Sequence, residues 1–187
     1  GPYGLINFEN LDIGNFTSLD VATGVTVTLA NTASDGNAGI TDTVSTDLGY
    51  NTTTEGLKHL RVVPIFFGND VSVTFAFANP IDFFGAYLTG TETYYAGTIT
   101  LNFNDGSSQN LGLTKNPLGG GVQFFGFTDL GTSISSVVFA QVGPFDSTRD
   151  IWGIDDIRYG RASVPEPTIM VLLGLGLIGL AGIRRKM

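Results

Sequence analysis

The sequence contains no cysteine, only one histidine (His59), and few charged residues. Without cysteine there is no disulfide framework, so the fold must be stabilised by the packing of its core, with or without a metal ion. His59 has no His, Cys or acidic cluster at metal-ligand spacing around it, which argues against a zinc centre. Charged residues make up 14% of the chain, well below the roughly 25% of an average globular protein.

Basic residues are especially scarce, with nine Lys and Arg against 17 Asp and Glu. Because Glu166, Arg184, Arg185 and Lys186 all follow residue 163, residues 1–163 carry 16 acidic and six basic side chains. The electrostatic field of such a segment repels nucleic acid and anionic lipid and attracts cations. We therefore expect no nucleic-acid partner.

Helical periodicity is absent before residue 164, and alternation of apolar and polar residues replaces it. Residues 25–30 and 71–77 alternate with a period of two, and Asn104, Asp105 and Gly106 predict a hairpin turn. Residues 31–54 have few bulky apolar side chains and predict a long loop with at most one short strand around Val44. The pattern predicts an all-β protein, an antiparallel jelly-roll-like β-sandwich of about ten strands, followed by one C-terminal hydrophobic helix.

The C-terminal segment is apolar and ends in basic residues. Residues 168–183 carry no charge, and as a helix they would span about 24 Å, slightly less than the ~30 Å hydrocarbon core of a membrane. The flanking basic side chains can make up the difference by snorkelling, and they favour the cytoplasmic side. We expect a β-sandwich domain over 1–160, a linker over 161–167, a transmembrane sorting helix over 168–183 and a basic cytoplasmic end over 184–187.

Three interpretations of this tail are open: a buried core helix, a permanent membrane anchor, and a processed sorting signal. The apolar residues of this helix would lie on all its sides instead of forming one stripe, which disfavours the core helix. Pro165, Glu166 and Pro167, a Gly/Leu-rich span, and then Arg184, Arg185 and Lys186 resemble the PEP-CTERM sorting signal of Gram-negative bacteria. The resemblance implies processing by an exosortase in the inner membrane, with the domain on the periplasmic side. The resemblance further implies that the domain is then released or attached at the cell surface. Proteins of this kind are often associated with exopolysaccharide and biofilm.

Two adjacent aspartates, Asp155 and Asp156, interrupt an alternating apolar segment at residues 152–159. The alternation changes phase at this pair, which predicts a β-bulge. Neighbouring carboxylates repel each other, and a bound Ca²⁺ would remove that repulsion with hard oxygen ligands. Solvation, or pairing with Arg149, Arg158 or Arg161, is the alternative, and the sequence leaves both open.

An opening Phe8-Glu9 and a closing 154–157 segment are similar to jelly-roll adhesion and carbohydrate-binding-like modules such as the MAM domain. This resemblance implies that the first and last strands lie side by side, with a metal ion near their acidic residues. Carried over to this chain, it implies that Glu9, Asp155 and Asp156 are ligands of a structural Ca²⁺.

No spacing of residues favours catalysis, and we expect a protein that is not an enzyme. Four aromatic residues in loop-like contexts are candidates for stacking on sugar rings: Tyr50, Tyr94, Tyr95 and Phe145. Our leading hypothesis is an exported module that binds extracellular polysaccharide or surface proteins. The second hypothesis is a self-assembling protein of a surface layer or fibre, and the third is a carbohydrate-active enzyme.

Overall fold

The computed structural model of the chain describes residues 3–32, 38–65, 71–91, 97–112, 121–128, 133–141 and 151–161. Within these ranges the chain forms thirteen β-strands. They are β1 (Tyr3–Ile6), β2 (Gly14–Asn15), β3 (Ser18–Ala22), β4 (Val25–Ala30), β5 (Gly39–Thr41), β6 (His59–Val62), β7 (Val71–Ile81), β8 (Phe83–Thr91), β9 (Gly97–Phe103), β10 (Ser108–Gly112), β11 (Gly121–Thr128), β12 (Ile134–Gln141) and β13 (Trp152–Gly160).

The strands form two sheets in which all pairs are antiparallel. The first sheet has the order β11-β8-β13-β6-β5-β2, with β1 also paired to β13, and the second has the order β10-β9-β12-β7-β4-β3. The pairs β9–β10, β8–β11, β7–β12 and β6–β13 follow one another and alternate between the sheets. A long hairpin wound up in this way is a jelly roll, so the predicted antiparallel jelly-roll sandwich is confirmed.

The core lies between the sheets and is rich in aromatic rings. The alternating residues of β4 and β7 contribute Val27, Leu29, Val73 and Phe75, all at most 4% exposed. The centroid of the Phe75 ring lies 5.9 Å from that of Phe84 and 6.1 Å from that of Phe139, within the range of favourable aromatic contacts. The alternation of β4 and β7 therefore identified the buried face correctly.

Two local expectations are also confirmed. The turn between β9 and β10 closes with a hydrogen bond from the Phe103 amide to the Ser107 carbonyl (2.9 Å), and Gly106 has a φ of +86°. In β13 the pairing with β8 shifts between Asp155 and Arg158, and Asp156 has a φ of +48°, which is the predicted bulge.

The expected short strand around Val44 is wrong, because Val44 lies outside any strand and is 73% exposed. The strand in this part of the chain is β5, where Gly39, Ile40 and Thr41 are all buried. The short β2 and the edge strand β3 also escaped the sequence pattern, since so few residues carry little periodicity.

The first and last strands lie side by side, as the resemblance to adhesion modules implied. Tyr3 pairs with Gly160 and Ile6 pairs with Ile157 in the antiparallel ladder of β1 and β13. The expected linker begins at Arg161, which is described. The rest of the linker, the sorting helix and the basic end comprise residues 162–187 and lie outside the described residues. Within the described ranges, no helix has the length and apolarity needed to cross a membrane.

Candidate functional site

The outer face of the first sheet, which is turned away from the second sheet, carries the candidate site residues. Four rows of cross-strand neighbours cross this face from β13 to β11. They are Gly153–Thr89–Val122, Asp155–Tyr87–Phe124, Arg158–Gly85–Gly126 and Gly160–Phe83–Thr128. Leu5 and Tyr3 of β1 extend the last two rows beyond β13.

A loop over residues 42–58, which we call the covering loop, lies across one half of this face. Close backbone contacts hold it there: an added Cβ on Gly49 would lie 2.7 Å from the Gly153 amide nitrogen, and one on Gly153 would lie 3.2 Å from Gly49 Cα. The Tyr50 amide donates to Thr89 Oγ1 (2.9 Å), and the Thr89 hydroxyl donates to the Tyr50 carbonyl (3.0 Å). The covering loop is therefore packed on the sheet and not merely adjacent to it.

Glu9 anchors the C-terminal part of the covering loop. Its Oε1 accepts hydrogen bonds from Asn51 Nδ2 (3.0 Å) and from the amides of Leu57 (2.9 Å) and Lys58 (2.8 Å). The Lys58 ammonium in turn donates to the carbonyls of Glu9 (3.0 Å) and Leu11 (2.6 Å). Hydrogen bonds to a charged carboxylate are stronger than those between neutral groups, so Glu9 fixes this part of the loop firmly.

Asp155 anchors the middle of the covering loop from the bulge in β13. Its Oδ2 accepts from the amides of Thr52 (2.7 Å) and Thr53 (3.1 Å) and from both threonine hydroxyls (3.0 and 3.3 Å). Asp156 lies within hydrogen-bond distance of the same two hydroxyls (3.2 and 2.9 Å), each of which shares its one proton between the two aspartates, so both aspartates face the loop. Burial raises the pKa of Asp155 above its ordinary value, and the bonds from Thr52 partly oppose this rise.

The predicted calcium ligands therefore bind two adjacent parts of one loop. Asp155 is fully buried, and its Oδ1 has no hydrogen-bond partner, a condition that a hard cation would correct. Glu9 fits less well, because three N–H donors already point at its Oε1. Within the described ranges, no three Asp, Glu or His side chains gather closely enough to hold a metal ion. Asp155 and Asp156 thus fit Ca²⁺ in chemistry, and the assignment stays a prediction.

The alternative of aspartate–arginine pairs gains no support from the geometry of Arg161. Its Nε donates to the Pro80 carbonyl (2.7 Å) at the end of β13. Arg158 is exposed on the outer face, and Arg149 lies outside the described residues. The hydrogen-bond partners seen for Asp155 and Asp156 are threonines of the covering loop.

His59 lies beneath the covering loop and is the one histidine of the chain. It is fully buried, an added Cβ on Gly153 would lie 2.9 Å from its ring, and neither ring nitrogen has a hydrogen-bond partner. Burial and the nearby Arg61 lower its pKa from 6.5 to about 4, and Asp42 opposes the shift. The imidazole is therefore neutral at pH 7 and packs as an apolar ring.

The other half of the outer face is open and carries an aromatic platform, made of Tyr87, Val122, Phe124 and Arg158. Phe124 is 57% exposed and Val122 is 49% exposed. The Phe124 ring lies against two glycines, since an added Cβ would come within 2.7 Å of it from Gly85 and 2.8 Å from Gly126. Its centroid is 5.1 Å from that of Tyr87. One side of the Phe124 ring is thus fixed by the backbone and by Tyr87, and the other side faces solvent.

Sequence reasoning missed this platform and proposed loop aromatics for the same role. Tyr50 is partly buried in the covering loop, and Tyr94, Tyr95 and Phe145 lie outside the described residues. The available signal was the pair Gly85 and Gly126 beside the aromatic residues of β8 and β11. Its meaning depends on the register between these strands, which a single sequence does not reveal.

Comparison with known proteins supports the interpretation of the tail. Residues 163–186 match the sequence profile described as the PEP-CTERM protein-sorting motif. The motif indicates an exported protein that is anchored in the membrane before processing, and it implies an exosortase as the processing enzyme. The predicted sorting residues Pro165, Glu166, Pro167, Arg184, Arg185 and Lys186 all lie within the match. A search among curated protein sequences gave no match.

Several solved structures resemble the domain in shape. A family 29 carbohydrate-binding module is 10% identical with a TM-score of 0.46, covering 86% of this chain and 90% of the module. Another family 29 module, from Piromyces equi, is 10% identical with a TM-score of 0.44, covering 88% and 94%. The enzymatically active domain of bacteriophage CBA120 tailspike protein 4 is 16% identical with a TM-score of 0.41, covering 82% of this chain and 20% of that one.

Proposed function

We propose that this protein is an exported, non-catalytic module that binds extracellular polysaccharide on the aromatic platform. The observation that supports the proposal most directly is the Phe124 ring, held against Gly85 and Gly126 with one side open to solvent. The face of an aromatic ring carries partial negative charge, which attracts the partly positive C–H groups on the face of a sugar. A ring that is already immobilised loses little conformational entropy on binding.

The neighbours of Phe124 complete a site for a neutral glycan. Tyr87 widens the stacking surface, and Arg158, across Gly85 in the next strand, provides a fixed fork of N–H donors for hydroxyl oxygens. The platform is shallow and open along the face, which suits an extended chain better than a small buried ligand. Exopolysaccharide and biofilm matrix at the cell surface would supply such chains, in keeping with the sorting motif.

The test is affinity electrophoresis and calorimetry with a panel of soluble polysaccharides, using wild-type protein and Phe124→Ala. We expect the substitution to weaken binding about tenfold, which corresponds to about 1.4 kcal/mol for one lost stacking contact. Ile13→Ala is the matched control, because Ile13 is 53% exposed and lies outside the platform. Unchanged affinity of the Phe124→Ala protein for a glycan that the wild type binds would refute the platform as the binding site.

Ca²⁺ forms part of this proposal as a structural ion of the covering loop, with Asp155 and Asp156 as ligands and Glu9 as a less suitable third. The partnerless, buried Asp155 Oδ1 supports it. When bound, the ion would neutralise the two carboxylates and fix the loop beside the platform. Calorimetric titration with Ca²⁺ checks this directly, with Mg²⁺ as the comparison.

A self-assembling surface-layer or fibre protein is the second candidate, and β11 favours it. Within the described ranges β11 ends the first sheet, and its eight residues contain neither charge nor proline. Such an edge can pair with the edge of another copy. Filaments in a sugar-free preparation, seen by electron microscopy, would favour this candidate, whereas a monomer in sedimentation that binds glycan would exclude it. The third hypothesis, a carbohydrate-active enzyme, predicts release of reducing ends from a bound polysaccharide.

A further inference from the structure

A concave surface lies far from the covering loop, at the end of the sandwich where β13 ends. It is a cleft of about 320 Å³ between the two sheets, and we call it the exit cleft. One wall comes from β1 and β13 of the first sheet, and the other from β7 and the turn between β3 and β4. Neither the polysaccharide site nor the calcium proposal involves it.

Aromatic rings and a proline line the exit cleft. The rings of Phe77 and Tyr159 have centroids 5.4 Å apart, and Tyr159 packs so closely on Gly4 that any side chain there would meet its ring. Tyr3 stands at the rim with 71% of its surface exposed. Burial raises the pKa of Tyr159 above its usual value, in keeping with an apolar cleft. Grooves lined by aromatic rings in this way are typical receptors for extended proline-containing segments.

The chain itself leaves the domain at this cleft. Arg161 is the last residue of the described C-terminal strand region, and it lines the cleft with its Nε bound to the Pro80 carbonyl (2.7 Å). The Asp82 amide also donates to the Gly160 carbonyl (2.8 Å), so the exit point is fixed on both sides. Pro165 follows only four residues after Arg161, and a fully extended chain of that length reaches about 14 Å at most.

The geometry points to the exit cleft as the docking site of the chain's own segment 164–167, which contains the sorting residues Pro165, Glu166 and Pro167. Valine and proline side chains match the aromatic lining, and the positive charge of Arg161 in the cleft is complementary to Glu166, the single acidic residue of the segment. Docking would hold the sorting motif against the folded domain. Access of the processing enzyme to the motif would then depend on the domain being folded.

Engineered cysteines test this docking in the full chain, because the natural sequence has none. Thr23→Cys places a thiol on the far wall of the cleft, and it is combined with Glu166→Cys. Thr128→Cys with Glu166→Cys is the matched control. Thr128 lies two strands from Gly160, about 10 Å, a distance similar to the separation of the two sheets, and it does not line the cleft. Both positions are exposed threonines.

We expect mild oxidation of the detergent-solubilised protein to cross-link the Thr23 pair about tenfold or more faster than the Thr128 pair. Adding Pro165→Ala and Pro167→Ala, or Tyr3→Ala, should lower the Thr23 rate toward that of the control. Equal rates for the two pairs would overturn the proposal. A Thr23 rate that neither the two proline substitutions nor Tyr3→Ala lowers would overturn it too. Cross-links that form only between chains would overturn it as well and identify a second copy as the occupant. Glycan affinity is measured on the same variants, and it should not change, since this inference is independent of the polysaccharide site.

Discussion

The two halves of the outer face use the same sheet in opposite ways. On the covered half, the loop over residues 42–58 buries His59, Thr89 and Asp155, and glycines at 49 and 153 allow backbone to touch backbone. On the open half, glycines at 85 and 126 make room for the Phe124 ring, which stays in contact with solvent. On both halves, the lack of a glycine side chain leaves room on the sheet. The covering loop fills this room on one half, and the Phe124 ring fills it on the other.

The difference indicates where stability and binding are located. The covered half holds buried polar groups whose loss leaves donors unpaired, so changes there should act on the free energy of unfolding. The open half holds exposed apolar groups, so changes there should act on affinity. Variants that alter one half and spare the other test this division.

The largest effect is expected from Asp155→Ala. It removes the acceptor of two backbone amides and two hydroxyls of Thr52 and Thr53, and it leaves those amides without partners in a partly buried site. We expect a loss of about 3 kcal/mol in the free energy of unfolding. Denaturant unfolding, followed by the fluorescence of the buried Trp152, measures it. Asp47→Ala, an exposed aspartate of the same loop, should stay within about 0.5 kcal/mol of wild type.

Calcium should produce the next largest effect, again through the covered half. If Asp155 and Asp156 bind Ca²⁺, a concentration 100 times the dissociation constant stabilises the fold by about 2.7 kcal/mol, a shift of several degrees in Tm. Thermal unfolding in EDTA and then in millimolar Ca²⁺ measures the shift. It should vanish in Asp155→Asn and shrink in Glu9→Gln. Identical midpoints with and without Ca²⁺ would reject the metal and leave the threonine hydrogen bonds as the whole role of the aspartates.

Acid should destabilise the covered half through His59. The folded-state pKa is about 4 and the ordinary value is 6.5, so between these values the unfolded chain binds a proton that the folded chain excludes. The stability is therefore complete above pH 6.5 and is lost progressively as the pH falls toward 4. Between pH 7 and pH 5 we expect a loss of about 2 kcal/mol. The raised pKa of Asp155 acts in the opposite direction, because protonation of this carboxyl group as the pH falls favours the folded state.

Denaturant midpoints at pH 7, 6 and 5 measure this effect, and His59→Leu is the control. Because the chain has no other histidine, the leucine variant should lose most of the pH dependence in this window. A slope that survives in His59→Leu would assign the effect to other groups.

The smallest effect is expected on the open half from Gly85→Ala. The added methyl would meet the far edge of the Phe124 ring, which can tilt away at low cost in stability. We expect glycan affinity to fall by a few-fold, under about 1 kcal/mol, with an unfolding midpoint near that of wild type. Calorimetry and thermal unfolding on the same sample check both values. A large loss of stability with intact affinity would show that the two halves are not divided as described.

Part of this architecture could be predicted from the sequence, namely the features written in consecutive residues. The alternation of β4 and β7, the hairpin turn at Asn104–Gly106 and the bulge at Asp155 all depend on neighbours along the chain. The covering loop depends on contacts between distant residues, such as Thr52 and Asp155, which are 103 positions apart. The platform likewise requires the register of Phe124 with Tyr87 across β8 and β11. Local periodicity carries no information on such pairings.

The position of β13 has a mechanical consequence. This strand leads directly to the sorting tail, and it pairs with β8 along one side and with β6 and β1 along the other. Where the tail is pulled along the axis of β13, the tension acts parallel to the strand and perpendicular to its hydrogen bonds. The ladders on both sides would then be loaded together in shear and could not open one bond at a time. A domain tethered by a central strand in this way resists pulling better than one tethered by an edge strand.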